Sequence, residues 1–419
     1  MSAGAVARAA LTPLPLRCAE CRRGVDPAPS HVCPHCLGPL EPIYDPTRAL
    51  PTREEIATRP KSLWRYREWL PFEGRPVHAT EVGFTPLVEA PRLASALGVG
   101  RCWVKNDAVS FPSLSFKDRV VASALNAAHA FALPVVGCAS TGNLANAVAA
   151  GAAGAGLPAW IFIPHDLEAA KVLATAIHAP RLVRVRGTYD DVNRLCSQVA
   201  DRFGWGIVNV NLRAYYGEGS KTVAFEIIEQ LGWRFPGTVV APMAGGSLVT
   251  KLGKGFGEFL GAGLAAGRAP RLFGGQAEGC APIVRLVERG DGRIVPEHPR
   301  TIARSLAIGN PADGRSAARA VVSSGGWVAS VSDAEIVAGI RLLAETAGIF
   351  TETAGGVTVA AAKALARSGR LGSDEEVVLC ITGNGLKTAE AVSATIPESP
   401  IIDPRLREVA ALAAETLQP

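Results

Sequence analysis

Ser113 to Arg119 reads SLSFKDR, and its lysine is placed unlike one meant for water. Lys117 follows Phe116, precedes Asp118 and Arg119, and opens an apolar, helix-compatible stretch from Val120 to Phe131. Burial disfavours the ammonium form, lowers the pKa and leaves an amine able to attack an aldehyde. Taken alone, the run also suits a lysine at a helix N-terminus paired to Asp118. The segments around it decide between the two.

Three loops share one layout. STGNLANAV, Ser140 to Val148, follows the short apolar run Pro134 to Cys138 and leads into an alanine-rich helix. Backbone N–H groups at such a strand end receive anions, although Ser140, Thr141 or Asn143 could equally serve as a simple helix cap. AGGSL, Ala244 to Leu248, follows Thr238 to Pro242, and its paired glycines let the backbone turn amides onto a phosphate. ITGNGLK, Ile381 to Lys387, follows Val377 to Cys380 and leaves the Thr382 hydroxyl at a third strand end.

A lysine, an asparagine loop, a glycine cradle and a terminal hydroxyl in this order resemble the fold-type II pyridoxal phosphate enzymes. SFKDR and STGN, with GTYDDVNRL (Gly187 to Leu195), GEGSKT (Gly217 to Thr222), SLAIGNPADG (Ser305 to Gly314) and TETAGGVTV (Thr351 to Val359), resemble the threonine synthases, especially their bacterial branch, over roughly residues 80 to 390. The resemblance implies that Lys117 is the catalytic residue and holds pyridoxal 5'-phosphate. It also implies that Asn143 faces the ring hydroxyl, that Ala244, Gly245, Gly246, Ser247 and Leu248 hold the phosphate, and that Thr382 meets the pyridine nitrogen. Ser140 and Thr141 would bind the substrate carboxylate, and Arg194 and Lys221 its phosphate. The implied reaction converts O-phospho-L-homoserine and water into L-threonine and phosphate. Thr188 and Leu144 depart from the residues frequent at those positions, so a related lyase or β-replacement enzyme is the alternative.

Alternating strand and helix patterns predict an α/β protein. Strands are expected at Cys102–Asn106, Val135–Cys138, Ala159–Ile163, Leu182–Val185, Ile207–Val210, Thr238–Ala241, Leu272–Gly275 and Val377–Cys380. Two doubly wound parallel-sheet domains of the tryptophan synthase β type follow, with the cofactor in the cleft between them. The expected division is a zinc-ribbon-like module over 1–45, a half over 46–215 that includes a smaller mobile domain, and a larger cofactor-binding domain over 216–419. With 419 residues, 48% hydrophobic and 19% charged, the chain suits this plan and not a disordered one.

The nine cysteines are of two kinds. Five are scattered in apolar contexts, as small core residues usually are. Cys18, Cys21, Cys33 and Cys36 form two C-x-x-C pairs eleven residues apart, the pattern of a structural zinc ribbon. A redox pair or disulfides are the competing uses, and His31 and His35 are read as bystanders to a four-thiolate site. SLWRYREWL, Ser62 to Leu70, is expected to dock its aromatic residues on the body. The net charge of +5 is small and spread out, and no dense basic and aromatic strip accompanies the ribbon, so a nucleic-acid partner is not expected. Pro13 and Pro15 interrupt any signal-peptide core and no apolar run could span a bilayer, so the expectation is a cytoplasmic enzyme with a small-molecule substrate, dimeric by family analogy.

Overall fold

The structure is a computed structural model that describes residues 11–140 and 142–416. Its larger sheet has six strands in the order Val328–Val331, Arg271–Ala277, Thr238–Pro242, Glu376–Ile381, Arg101–Asn106 and Leu87–Glu89. All are parallel except the last, which runs antiparallel to its neighbour. Apolar side chains on both faces of each strand explain why the sheet is sandwiched. In Glu376–Ile381, Val377, Leu379 and Ile381 enter one core, whereas Val378 and Cys380 enter the other. Helices Ser247–Gly261, Pro282–Arg289 and Gly314–Ser323 cover the second core, and Thr353–Arg367, backed by Asp333–Ala347, covers the first.

The smaller sheet is wholly parallel, in the order Arg181–Val185, Ala159–Pro164, Val136–Ala139, Gly206–Ile207. Helices Lys117–Ala130 and Asn143–Ala155 bury Val121, Leu125, Ala145 and Val148 against Ile161 and Ile163 on one face. Helix Tyr189–Phe203 packs Val192, Cys196 and Val199 against Phe162 and Ile207 on the other. The doubly wound α/β architecture read from the alternation is therefore present. The strands do not divide at residue 215: Arg101–Asn106 pairs along its whole length with Glu376–Ile381, Arg101 opposite Glu376 and Asn106 opposite Ile381. The segment leading to Lys117 is thus built into the larger sheet.

Ahead of both sheets, Leu16–Cys18 pairs with Gly24–Val25 on one side and Leu40–Pro42 on the other, all antiparallel. The 62–70 segment docks as expected, with Tyr66 and Trp69 buried and their rings 5.4 and 5.0 Å from those of Phe225 and Phe259. Among the described residues no helix is long and apolar enough to cross a membrane.

Candidate active site

A cavity of about 530 Å³ opens between the two sheets, lined by Ser140, Ala244 to Leu248 and Thr382 among others. These residues follow the carboxyl ends of Val136–Ala139, Thr238–Pro242 and Glu376–Ile381, where open α/β sheets leave room for ligands. The three loops thus converge on one space.

Lys117 begins its helix at the cavity wall. The backbone before it is tied to the Thr382 loop: Phe116 N–H donates to the Thr382 carbonyl at 2.9 Å and Asn384 N–H to that of Leu114 at 3.1 Å. Asp118 braces the same turn by accepting from Ser113 N–H at 3.1 Å and Ser113 Oγ at 2.6 Å. Lys117 Nζ lies 3.3 Å from Tyr216 Oη, and no carboxylate of the described residues is within ion-pair distance. Burial pushes its pKa down to about 8, against the opposing pull of Glu352.

Opposite it, Asn143 Nδ2 donates to Glu352 Oε1 at 2.6 Å. Asn143 Oδ1 and Glu352 Oε2 are buried without a hydrogen-bond partner, which is costly unless a ligand supplies one. Gly383 packs closely beside them, and a Cβ there would displace the Glu352 carboxylate. In the glycine loop, Gly246 has φ +91° and closely approaches Ala317 and the Asp313 carbonyl. It precedes the fifteen-residue Ser247–Gly261 helix, which has no side-chain cap, so the orphan first-turn amides are available to an anion. Ser140 lines the cavity and also caps: its Oγ accepts from Gly142 N–H at 3.0 Å and Ala145 N–H at 2.9 Å. Thr141 lies outside the described residues.

Two expected phosphate ligands are placed elsewhere. Arg194 has its side chain 73% exposed and pairs with Asp191 at 2.8 Å. Arg194 stands one turn beyond Asp190 and opposite the buried stripe of Val192, Cys196 and Val199, so the helix that brings Tyr189, Asp190 and Asn193 to the cavity leaves its guanidinium to solvent. Lys221 is fully buried, held by Glu218 at 2.7 Å and Glu258 at 2.8 Å, and does not line the cavity. The cations that share the cavity wall with Lys117 are Arg213, 2.6 Å from Asp313, and Lys251. Sequence reasoning also missed Glu352 and Tyr216. Glu352 was within reach, inside the quoted TETAGG run, whereas Arg213 carries no local signal.

The four N-terminal cysteines do come together, all Sγ atoms lying within 4.8 Å of one another. Cys18 and Cys36 are 3.4 Å apart, and Cys21 and Cys33 3.7 Å. Four thiolates about 2.3 Å from a zinc ion in a tetrahedron would be roughly 3.8 Å apart, so the donor set fits that metal. The two knuckles repeat one geometry. Arg22 N–H donates to the Cys18 carbonyl at 3.1 Å and Leu37 N–H to that of Cys33 at 3.0 Å, and Arg22 and Leu37 both have positive φ. The Cys18 thiol is held down to about 7: burial opposes this, but amides of Cys21 and Glu20 and neighbouring thiols outweigh it. His31 stands outside the cysteine cluster and lines the cavity instead.

A partly buried lysine without a counter-ion and an uncapped helix N-terminus across a cleft between parallel sheets suit an enzyme that holds an aldehyde cofactor carrying a phosphate. Comparison with known proteins agrees. Residues 79–383 match the family described as pyridoxal-phosphate dependent enzyme. The chain is 35% identical to the threonine synthase of Methanosarcina acetivorans, covering 93% of this chain and 96% of that protein. It is likewise 35% identical to that of Methanocaldococcus jannaschii, over 90% and 93% of the two chains. Among solved structures, a fungal L-serine ammonia-lyase from Rhizomucor miehei has a TM-score of 0.63 at 21% identity, covering 75% of this chain and 97% of that one; this likeness concerns the fold. The chain belongs to the pyridoxal-phosphate dependent enzyme family and, within it, to the threonine synthases.

Proposed function

We infer that the protein converts O-phospho-L-homoserine and water into L-threonine and phosphate. The observation that carries this is the 35% identity to a threonine synthase over nearly the whole chain, joined to a partly buried Lys117 at the cavity wall. The pocket residues fit pyridoxal phosphate, with a primary amine lacking a counter-ion, the orphan Asn143 Oδ1, and the glycine loop at a free helix N-terminus. Ala244 to Leu248 would hold its phosphate, Asn143 its ring hydroxyl and Thr382 its pyridine nitrogen. When bound, pyridoxal phosphate withdraws electrons from the α carbon of an amino acid.

The chain's own residues supply positioning and proton transfer. Lys117 Nζ, with a pKa near 8, can take and return protons at the substrate's α and β carbons. Tyr216 Oη, 3.3 Å away, orients it. Ser140 Oγ already accepts two backbone bonds, so its own proton is free for the substrate carboxylate, a role assigned to Thr141 as well. For the substrate phosphate we assign Arg213 and Lys251 in place of Arg194 and Lys221. The exposed apolar side chains of Val109, Phe111, Leu114 and Leu386 beside the Lys117 loop support a homodimer, and a cytoplasmic setting suits the reduced thiols. We also place the division of labour between a smaller domain around the four-stranded sheet and a larger one around the six-stranded sheet.

Purified protein supplied with phosphohomoserine should release threonine and inorganic phosphate in equal amounts. Phosphate release with 2-oxobutyrate and ammonia, or no turnover at all, would instead favour the related lyase or β-replacement reading.

For the cysteine cluster we assign one structural zinc per chain. Metal analysis of untagged protein should return one equivalent, falling to near zero in Cys18→Ser with Cys33→Ser. A metal content unchanged by that double substitution would remove the assignment.

A further inference from the structure

The N-terminal module forms part of the cavity. His31, Leu37, Leu40 and Glu41 line it together with Lys117 and Lys251. Glu41, on the Leu40–Pro42 strand, meets the body through an ion network containing three ammonium groups and three carboxylates.

The members of this network are held unequally. Glu218 is fully buried and receives Lys251 at 2.6 Å, Lys254 at 3.0 Å and Lys221 at 2.7 Å, and it also accepts from Tyr44 Oη at 2.6 Å. Glu258 serves Lys221 at 2.8 Å. Glu41 contacts Lys251 at 3.2 Å and Lys254 at 3.5 Å with its side chain 42% exposed. Good charge-assisted bonds are roughly 2.7–2.9 Å, so Glu41 is the loosest of the three carboxylates. Without it, Lys251 and Lys254 share a single carboxylate already bound to Lys221, leaving one uncompensated positive charge at the cavity wall. That charge suits a phosphate monoester.

We propose that Glu41 is a displaceable counter-ion: the anionic group of an incoming ligand takes its place on Lys251, loosening the hold of the Leu40–Pro42 strand on the body. Substrate occupancy and the position of the cysteine module are thereby coupled. The identity of the natural anion rests on the function inferred above; the exchange itself does not.

The test measures inorganic phosphate binding to the cofactor-loaded enzyme by calorimetry, with the cofactor's visible absorbance confirming that each variant is folded and loaded. Glu41→Gln should bind phosphate about 3- to 10-fold more tightly, and Lys251→Met roughly tenfold more weakly. In the Lys251→Met background, Glu41→Gln should give no gain. Equal or weaker binding by Glu41→Gln overturns the proposal, as does a gain that persists without Lys251, which would reflect net charge alone. Hydrogen exchange supplies a second measurement: phosphate should speed exchange over residues 38–44 in the unmodified enzyme, and slowed exchange there would also overturn the idea. Because no turnover is measured, a wild type that makes no threonine leaves this result intact. Conversely, an inert Glu41→Gln leaves the assigned reaction standing.

Discussion

Lys117→Ala should lose turnover by at least ~10³-fold and should no longer retain pyridoxal phosphate through gel filtration, because in the proposed reaction one amine both anchors the cofactor and moves the substrate's protons. In the unmodified protein, borohydride followed by peptide mapping should place the pyridoxyl group on Lys117. A label elsewhere, or unchanged visible absorbance in Lys117→Ala, would move the site. The pKa near 8 adds a pH dependence. Below it the amine is mostly protonated and cannot attack an aldehyde, so cofactor-stripped protein should reload faster as pH rises through about 8. An ordinary solvated lysine would keep gaining reactivity toward about pH 10. Glu352 opposes the effect of burial, so Glu352→Gln should shift the reloading curve to lower pH.

What the sequence revealed about this site divides along the distance over which each signal acts. Lys117, the Ser140 loop, the Ala244 loop and Thr382 were legible because each is a local pattern, an apolar run ending in small or glycine-rich residues. The cysteine cluster was legible for the same reason, since C-x-x-C closes a knuckle within one turn. Arg194 misled because a basic residue in a quoted motif reveals nothing of helical phase: it lies opposite the stripe formed by Val192, Cys196 and Val199. Lys221 misled differently, since its partners Glu218 and Glu258 consume its charge inside the protein. The short Val328–Val331 strand and the Pro282–Arg289 and Gly314–Ser323 helices went unread because their burial depends on a sheet assembled from distant strands. The assignment of Arg101–Asn106 to the larger sheet has the same origin. Its partner lies about 275 residues further along the chain, and no local pattern encodes that pairing.

Arg119→Met should destabilise the protein by about 3–5 kcal/mol, the scale of removing one partner from a buried ion pair. Arg119 is fully buried two residues after Lys117. Its guanidinium donates to Asp107 at 2.7 and 2.8 Å, to Thr85 Oγ1 at 2.9 Å, to Thr222 Oγ1 at 3.1 Å and to both carboxylate oxygens of Glu226. Lys105 completes the group, 2.6 Å from Glu226. The set holds two cations and two carboxylates, so losing Arg119 leaves a net negative charge away from water. If that imbalance is the cause, the double variant Arg119→Met with Glu226→Met, which leaves Lys105 with Asp107, should be more stable than Arg119→Met alone. If lost packing is the cause, the double variant should be worse. Acid sensitivity gives an independent check. Burial would raise the Glu226 pKa, but Arg119 and Lys105 hold it down to about 2, below its ordinary value near 4.3. Its contribution is therefore present above about pH 4.3 and is lost as pH falls toward 2. Without Arg119 the pKa rises, and the acid-unfolding midpoint should move to higher pH. Because this network fixes the first turn of the Lys117 helix against Thr85 and Asp107, the variant's catalytic loss should exceed its loss of retained cofactor, as misplacing a reacting group without removing it predicts. Wild-type turnover in Arg119→Met would show that the loop contacts to Thr382 position Lys117 on their own.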